Sequence, residues 1–182
     1  YIIRDIINQG AEADVFGVGE RLITSKSDPV FGGVYKICAI EDGSGNIVPK
    51  IKISENIAKI TNPHYKKLYR LFSNETGKAI ADVITLYDEV IDDTEDYTIF
   101  DPEHTWKKKN VTNFTARELL VKLYDKGVRV YNSPSLHEIK DYCSKQIDTL
   151  WDEVLRFENP HKYYVDLSKK LWDIKNDLLE GK

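Results

Sequence analysis

A chain of 182 residues with 41% hydrophobic, 31% charged and 11% aromatic residues can bury a core without disulfides or metal, and it is far in composition from a disordered chain. A formal net charge of −4 excludes a dominant electrostatic footprint for nucleic acid, which needs a basic face or stripe. Two cysteines, Cys38 and Cys143, lie far apart in apolar stretches, so neither a disulfide framework nor a thiolate metal site is expected, and a reducing, cytoplasmic setting fits.

No apolar run approaches the ~18 residues of a membrane span, and no basic segment followed by an apolar one opens the chain, so a soluble protein without a membrane partner is expected. Methionine is absent, position 1 included, and the chain opens on Tyr1-Ile-Ile-Arg-Asp-Ile-Ile. Ile2, Ile3, Ile6 and Ile7 share one helical stripe that Gly10 stops. The opening therefore reads as the middle of an amphipathic helix, and the chain is expected to begin inside a domain.

Asp14-Val-Phe-Gly-Val-Gly19 is a short β-prone run ending in glycines, and with the first helix it reads as one αβ step of a repeating α/β architecture. Val34 to Ile40 and Ile47 to Ile53 flank Glu41-Asp-Gly-Ser-Gly-Asn46. Tyr65 to Phe72 and Ala79 to Leu86 flank Ser73-Asn-Glu-Thr-Gly-Lys78. Each is a hairpin signal, and two in succession predict a largely antiparallel sheet. Asp92 to Asn113 turns from acidic to basic without sustained periodicity and reads as an exposed connection.

Thr115-Ala-Arg-Glu118 has the spacing of a capping box and predicts a short helix that Gly127 stops. Val128 to Tyr131 fits a small strand. Ser135-Leu-His-Glu138, just after Pro134, opens a longer helix in the same way. Its stripe of Leu136, Ile139, Cys143, Ile147, Leu150, Val154 and Phe157 predicts one buried face over about six turns. Asn159-Pro160 ends it, and Ser168 to Leu179 reads as a final helix with Leu171, Trp172, Ile174 and Leu178 inward.

Gly17-Val-Gly-Glu-Arg21 is the best local candidate for chemistry. A glycine pair after a strand lets the backbone approach a ligand and aim N–H groups at a phosphate, with Arg21 and Lys26 adding charge. The same residues also fit a tight turn, and Glu20 counts against an anion unless its side chain points away. His64, His104, His137 and His161 are scattered, none at metal-ligand spacing, and no serine or cysteine sits in a nucleophile motif. Lys107, Lys108 and Lys109 beside Trp106 could touch an anion but also read as a solvated charge run, as does Asp92 to Asp96.

The string Phe16-Gly-Val-Gly-Glu-Arg-Leu-Ile-Thr-Ser25 followed by Phe31-Gly-Gly-Val-Tyr-Lys36 resembles the nicotinate phosphoribosyltransferase family. Pro49-Lys-Ile-Lys-Ile-Ser-Glu55, Thr61-Asn-Pro63, Tyr69-Arg70, Gly77-Lys-Ala-Ile-Ala-Asp82, Asn113-Phe-Thr-Ala-Arg-Glu-Leu-Leu120, Asn159-Pro-His-Lys-Tyr163 and Val165-Asp-Leu-Ser168 are similar to that family's carboxy-terminal half, in the same order. The resemblance implies a mixed α+β and α/β piece of a type II phosphoribosyltransferase. Residues 1–32 would be a late segment of its irregular α/β barrel with a phosphate-binding loop, 33–90 an antiparallel β-hairpin region, and 91–182 a helical C-terminal extension.

It further implies formation of nicotinate mononucleotide from nicotinate and phosphoribosyl pyrophosphate, coupled to ATP hydrolysis through a phosphohistidine, with Mg2+ assisting and a homodimer as the parent assembly. Gly17, Gly19, Glu20 and Arg21 would bind the phosphoribosyl phosphate, although the usual family pattern has threonine where Glu20 stands. The phosphorylated histidine and the nicotinate-binding residues belong to the family's larger amino-terminal part. The resemblance thus implies that these 182 residues carry no catalytic residue, need that part as partner and are inactive alone. A stand-alone, non-catalytic interaction module using the long helix or Trp106 to Lys109 is the alternative.

Overall fold

The computed structural model describes residues 2–30 and 32–181. Tyr1, first residue of the expected opening helix, and Phe31, first residue of the Phe31 to Lys36 block, lie outside the described residues. The chain forms two compact units, Tyr1–Tyr35 and Lys36–Lys182.

Among the described residues the first unit holds two helices, α1 (Ile2–Asn8) and α2 (Glu20–Ile23). Gly10, at φ +89°, supplies the left-handed residue that ends α1. The β-prone run Asp14 to Gly19 is irregular backbone, not the expected strand. Val15 and Val18 are exposed, and β propensity without a neighbouring ladder leaves a strand unformed.

The second unit is built on strands. Ala39–Glu41 (β1) and Ile47–Pro49 (β2) pair antiparallel, with Asp42 accepting backbone N–H bonds from Ser44 and Asn46 across the turn. They are shorter than the apolar runs that contain them. Lys66–Ser73 (β3) and Ala79–Leu86 (β4) form the centre of a four-stranded sheet, joined by a turn in which Gly77 takes φ +67°.

Tyr97–Phe100 (β5) and Lys108–Val111 (β6) pair antiparallel within the stretch that reads as an exposed connection. Ile99 and Val111 are buried there, so that expectation is corrected. The alternation of Tyr97 and Ile99 feeds a core, while the lysines of β6 hide the strand by composition.

Phe114–Glu118 (β7) is a strand, not the expected helix start. It pairs antiparallel with β3, Phe72 opposite Thr115 and Tyr69 opposite Glu118, and the Thr115 hydroxyl donates 2.8 Å to Asn74 Oδ1 instead of capping a helix. The expected stop at Gly127 is also corrected. Lys126 at φ +47° and Gly127 at φ +81° make the two-residue turn between Tyr124–Asp125 (β8) and Val128–Arg129 (β9), a demand for left-handed backbone that a helix end would equally make.

Leu136–Asp148 (α3) carries the capping box, Ser135 Oγ accepting from Glu138 N–H and Glu138 accepting from the Ser135 N–H at 2.6 Å. It ends at Thr149 instead of running six turns, and none of its residues is buried. The stripe expected to face a core is exposed at Leu136, Ile139 and Ile147. What ties α3 to the sheet is its C-terminal end: the Lys78 ammonium donates 2.9 Å to the Asp148 and Leu150 carbonyls, and the Ala79 N–H donates 2.8 Å to Thr149. A cation at a helix C-terminus meets carbonyls with no partner in the helix.

Val165–Leu167 (β10) joins the sheet parallel to β4, giving the order β10-β4-β3-β7 and one parallel pairing beside two antiparallel ones. Lys169–Glu180 (α4) follows, with Ser168 Oγ accepting from Leu171 N–H and Gly181 ending it at φ +76°.

Because alternate residues of a strand face opposite sides, β4 serves two clusters. Ala81 and Val83 join Tyr69, Leu71, Ile91, Ile99, Val111 and Phe114 on one side. Ile84 and Leu86 meet Leu167 and Leu171 on the other, with Trp172 and Ile174 packed against them. Full burial of a leucine such as Leu171 stabilises by roughly 2 kcal/mol. Glu89 locks this corner, its Oε2 accepting from Leu86 N–H at 2.8 Å and from the Ser168 hydroxyl at 2.6 Å.

Candidate functional site

The glycine loop belongs to the first unit. Gly17 and Gly19 are exposed, and nothing lies within 4 Å of a Cβ built on either. Gly19 is the N-cap of α2 at φ −86°, ψ −164°, extended backbone open to any residue. Its carbonyl accepts from Leu22 N–H, and the Glu20 carbonyl accepts from both the N–H and the hydroxyl of Thr24.

The N–H groups of Glu20 and Arg21 open the helix and so have no helical carbonyl to bond. Both side chains are exposed, with no ion pair among the described residues. Glu20 sits in the first turn, where a carboxylate suits the helix dipole. The four expected site residues are thus contiguous and open to solvent.

The second unit contains two further arrangements of polar groups. In the first, Arg70 of β3 and Asp82 of β4 stand directly opposite each other in the ladder. Arg70 Nε donates 2.7 Å to Asp82 Oδ1 and Nη2 donates 2.9 Å to Oδ2, while the Tyr163 hydroxyl donates 2.9 Å to Oδ1. The guanidinium also lies 5.6 Å from the Tyr163 ring centroid. Burial and then the Asp82 carboxylate push the Tyr163 phenol up, and the Asp82 hydrogen bond holds Arg70 protonated. A two-pronged pair with a third donor is a rigid clamp between β4 and the segment leading to β10.

The second arrangement is a cavity of about 330 Å³ beside β5, β6 and β10. Ile80, Ile99, Phe100 and Tyr164 form its apolar wall, and Lys107, Lys108 and Lys109 contribute its basic side. Asp101 and Asp166 also line it. Asp166 is 4% exposed as a residue, and burial, with the nearby Asp101 charge, pushes its carboxyl up to about 6.

Asp101 is differently placed. Its Oδ1 accepts from the N–H groups of Glu103 and His104, and His104 Nδ1 is 3.3 Å from Oδ2. Asp101, Glu103 and His104 are the one trio among the described residues that brings potential metal-ligand atoms within 4.8 Å of one another, an arrangement that the scattered histidines had not suggested. Its turn hydrogen bonds account for that closeness. Cys38 and Cys143 are free, and no helix of the described residues is long and apolar enough to cross a membrane.

The fold resembles that in the crystal structure of human Nicotinic Acid Phosphoribosyltransferase. That structure matches with a TM-score of 0.60 and 24% identity, over 65% of this chain and 24% of that one, a likeness of fold. The fold class is therefore the mixed α+β type of a phosphoribosyltransferase's carboxy-terminal region.

Residues 65–175 match the family described as Nicotinate phosphoribosyltransferase C-terminal domain. The nicotinate phosphoribosyltransferase of Bacillus subtilis is 40% identical over 175 residues, 96% of this chain and 36% of its own length. That of Dictyostelium discoideum is 33% identical over 93% of this chain and 29% of its length. The chain belongs to the nicotinate phosphoribosyltransferase family, and it spans about a third of the length of these relatives.

Proposed function

We propose that the chain supplies the carboxy-terminal part of a nicotinate phosphoribosyltransferase, an enzyme that transfers the phosphoribosyl group of phosphoribosyl pyrophosphate to nicotinate, giving nicotinate mononucleotide and releasing pyrophosphate, coupled to ATP hydrolysis. The observation that carries this reading is the 40% identity to the Bacillus subtilis enzyme across 96% of the chain. Its working form is a cytoplasmic homodimer that includes the amino-terminal part, and these 182 residues alone are inactive. Most of the groups that position substrates and stabilise charge belong to that other part.

The chain's own contribution is the loop Gly17 to Arg21. Backbone N–H groups at Gly17 and Gly19, with those of Glu20 and Arg21 beside them, receive the 5-phosphate of the phosphoribosyl group, and the Arg21 guanidinium pairs with its oxygens. Two glycines keep side chains out of the way of the approaching phosphate. Glu20 turns its carboxylate away from the phosphate, because the two anions repel.

Magnesium is compatible with this loop: it retains several waters and uses one or two carboxylates with substrate phosphates, and exposed Glu20 is a carboxylate able to meet that water shell. The ion, when bound, neutralises charge on the leaving diphosphate. The phosphohistidine that couples ATP hydrolysis belongs to the amino-terminal part.

Replacing Gly19 by leucine tests the loop. Its backbone suits any residue and the space beside it is open, so Gly19→Leu melts within about 1 °C of wild type. In the enzyme assembled with its amino-terminal part, the KM for phosphoribosyl pyrophosphate rises at least about tenfold, a loss near 1.4 kcal/mol. An unchanged KM removes the loop from the site.

A further inference from the structure

The cavity that holds Asp166 has the form of a built site. A carboxylate that opens into a cavity from an otherwise buried residue is a place where donors of a ligand can replace water. Asp166 is 4% exposed as a residue and lines the cavity, and since Thr61 Oγ1 is the one buried side-chain polar atom without a hydrogen bond among the described residues, the Asp166 carboxylate stays open to the cavity. A ligand bound there must bring donors to that carboxylate.

The same cavity sets a second demand. Lys107, Lys108 and Lys109 are exposed, line it, and have no ion-pair partner among the described residues, so a ligand that reaches them carries negative charge. Lys109 also lines an adjoining cavity with Lys162 and His161, which extends the basic side. Between acid and bases stand Ile80, Ile99, Phe100 and Tyr164, an apolar wall for a flat ring.

A divalent cation would answer the carboxylate but not the three lysines, and inorganic phosphate the lysines but not the carboxylate. The geometry points to a site for a nucleoside monophosphate, with the ribose hydroxyls or base N–H groups donating to Asp166, the base against Phe100 and Tyr164, and the phosphate on Lys107 to Lys109. At about 330 Å³ the cavity falls within the size range of small-molecule sites. The assignment rests on these residues and not on the reaction proposed for the family.

Calorimetric titration of the 182-residue chain with AMP, adenosine and inorganic phosphate tests it. AMP is expected to bind one to one, with adenosine and phosphate each at least about tenfold weaker. Asp166→Asn removes the charge with little change in shape and weakens AMP at least about tenfold. A triple variant, Lys107→Ala with Lys108→Ala and Lys109→Ala, does the same and changes only exposed side chains, so its fold is retained. Absence of AMP binding at millimolar concentration overturns the assignment, as does phosphate binding as tightly as AMP, or either variant binding AMP as tightly as wild type.

Discussion

Asp82→Ala lowers the melting temperature by about 6–12 °C. The Asp82 side chain is 9% exposed and that of Arg70 19%, so removing the acid strands a guanidinium and a phenol hydroxyl that have little water to turn to. Breaking a buried pair by deleting one partner costs about 3–5 kcal/mol. The partial exposure of Arg70 places this case near 3, and a chain of this size loses about 2–4 °C per kcal/mol. The loss is non-additive: Arg70→Ala made in the Asp82→Ala background costs far less than Arg70→Ala alone, because the stranded charge has gone. Thermal unfolding followed by circular dichroism reads both, and a shift under about 2 °C for Asp82→Ala contradicts the clamp.

Asp166→Asn stabilises the chain at pH 8 and leaves it unchanged at pH 4. The folded carboxyl is pushed from 3.8 up to about 6, first by burial and then by the Asp101 charge, with Lys162 acting in the opposite sense. Between about pH 4 and pH 6 the unfolded chain has released this proton and the folded chain still holds it. Stability therefore falls as pH rises through that window, and above it the loss is constant.

Asparagine never ionises, so it escapes this loss. Solvent that reaches the cavity screens the carboxylate, which reduces the gain at pH 8 to about 1–2 kcal/mol, or a rise of about 2–8 °C. Melting curves at the two pH values check it. Equal effects at pH 4 and pH 8, or destabilisation at pH 8, contradict a carboxyl that burial has pushed up in the folded chain.

These two groups show what a sequence displays and what it conceals. The turn Ser73 to Lys78 is legible because Gly77 answers a need for positive φ between two apolar runs, and once the turn is placed, Arg70 and Asp82 lie nearly symmetrically about it. Their pairing was within reach, offset by one residue through the irregularity between Leu71 and Phe72. Asp166 gave no such signal. It is one acid in Val-Asp-Leu, and its burial arises only when β10 docks beside β4 and near β5, a non-local event.

Local rules fail where a residue serves two structures. Thr115-Ala-Arg-Glu118 has the spacing of a helix start, yet β3 offers it a ladder and Asn74 a partner for the threonine hydroxyl. Ser135 and Glu138 have the same spacing, no strand competes, and the capping box forms. The stripe on α3 is regular, but periodicity shows only that a face can be buried, and in this chain it is exposed. Membership of the family was legible in the ordered blocks from Phe16 onward, because many short matches in one order constrain more than any single motif.

Formation of nicotinate mononucleotide from nicotinate, phosphoribosyl pyrophosphate and ATP, assayed with this chain alone and with the separately expressed amino-terminal part of the Bacillus subtilis relative, tests the central claim most directly. The account predicts that each part is silent and that the mixture is active. Turnover by this chain alone, or silence of the mixture when the two parts associate, contradicts it.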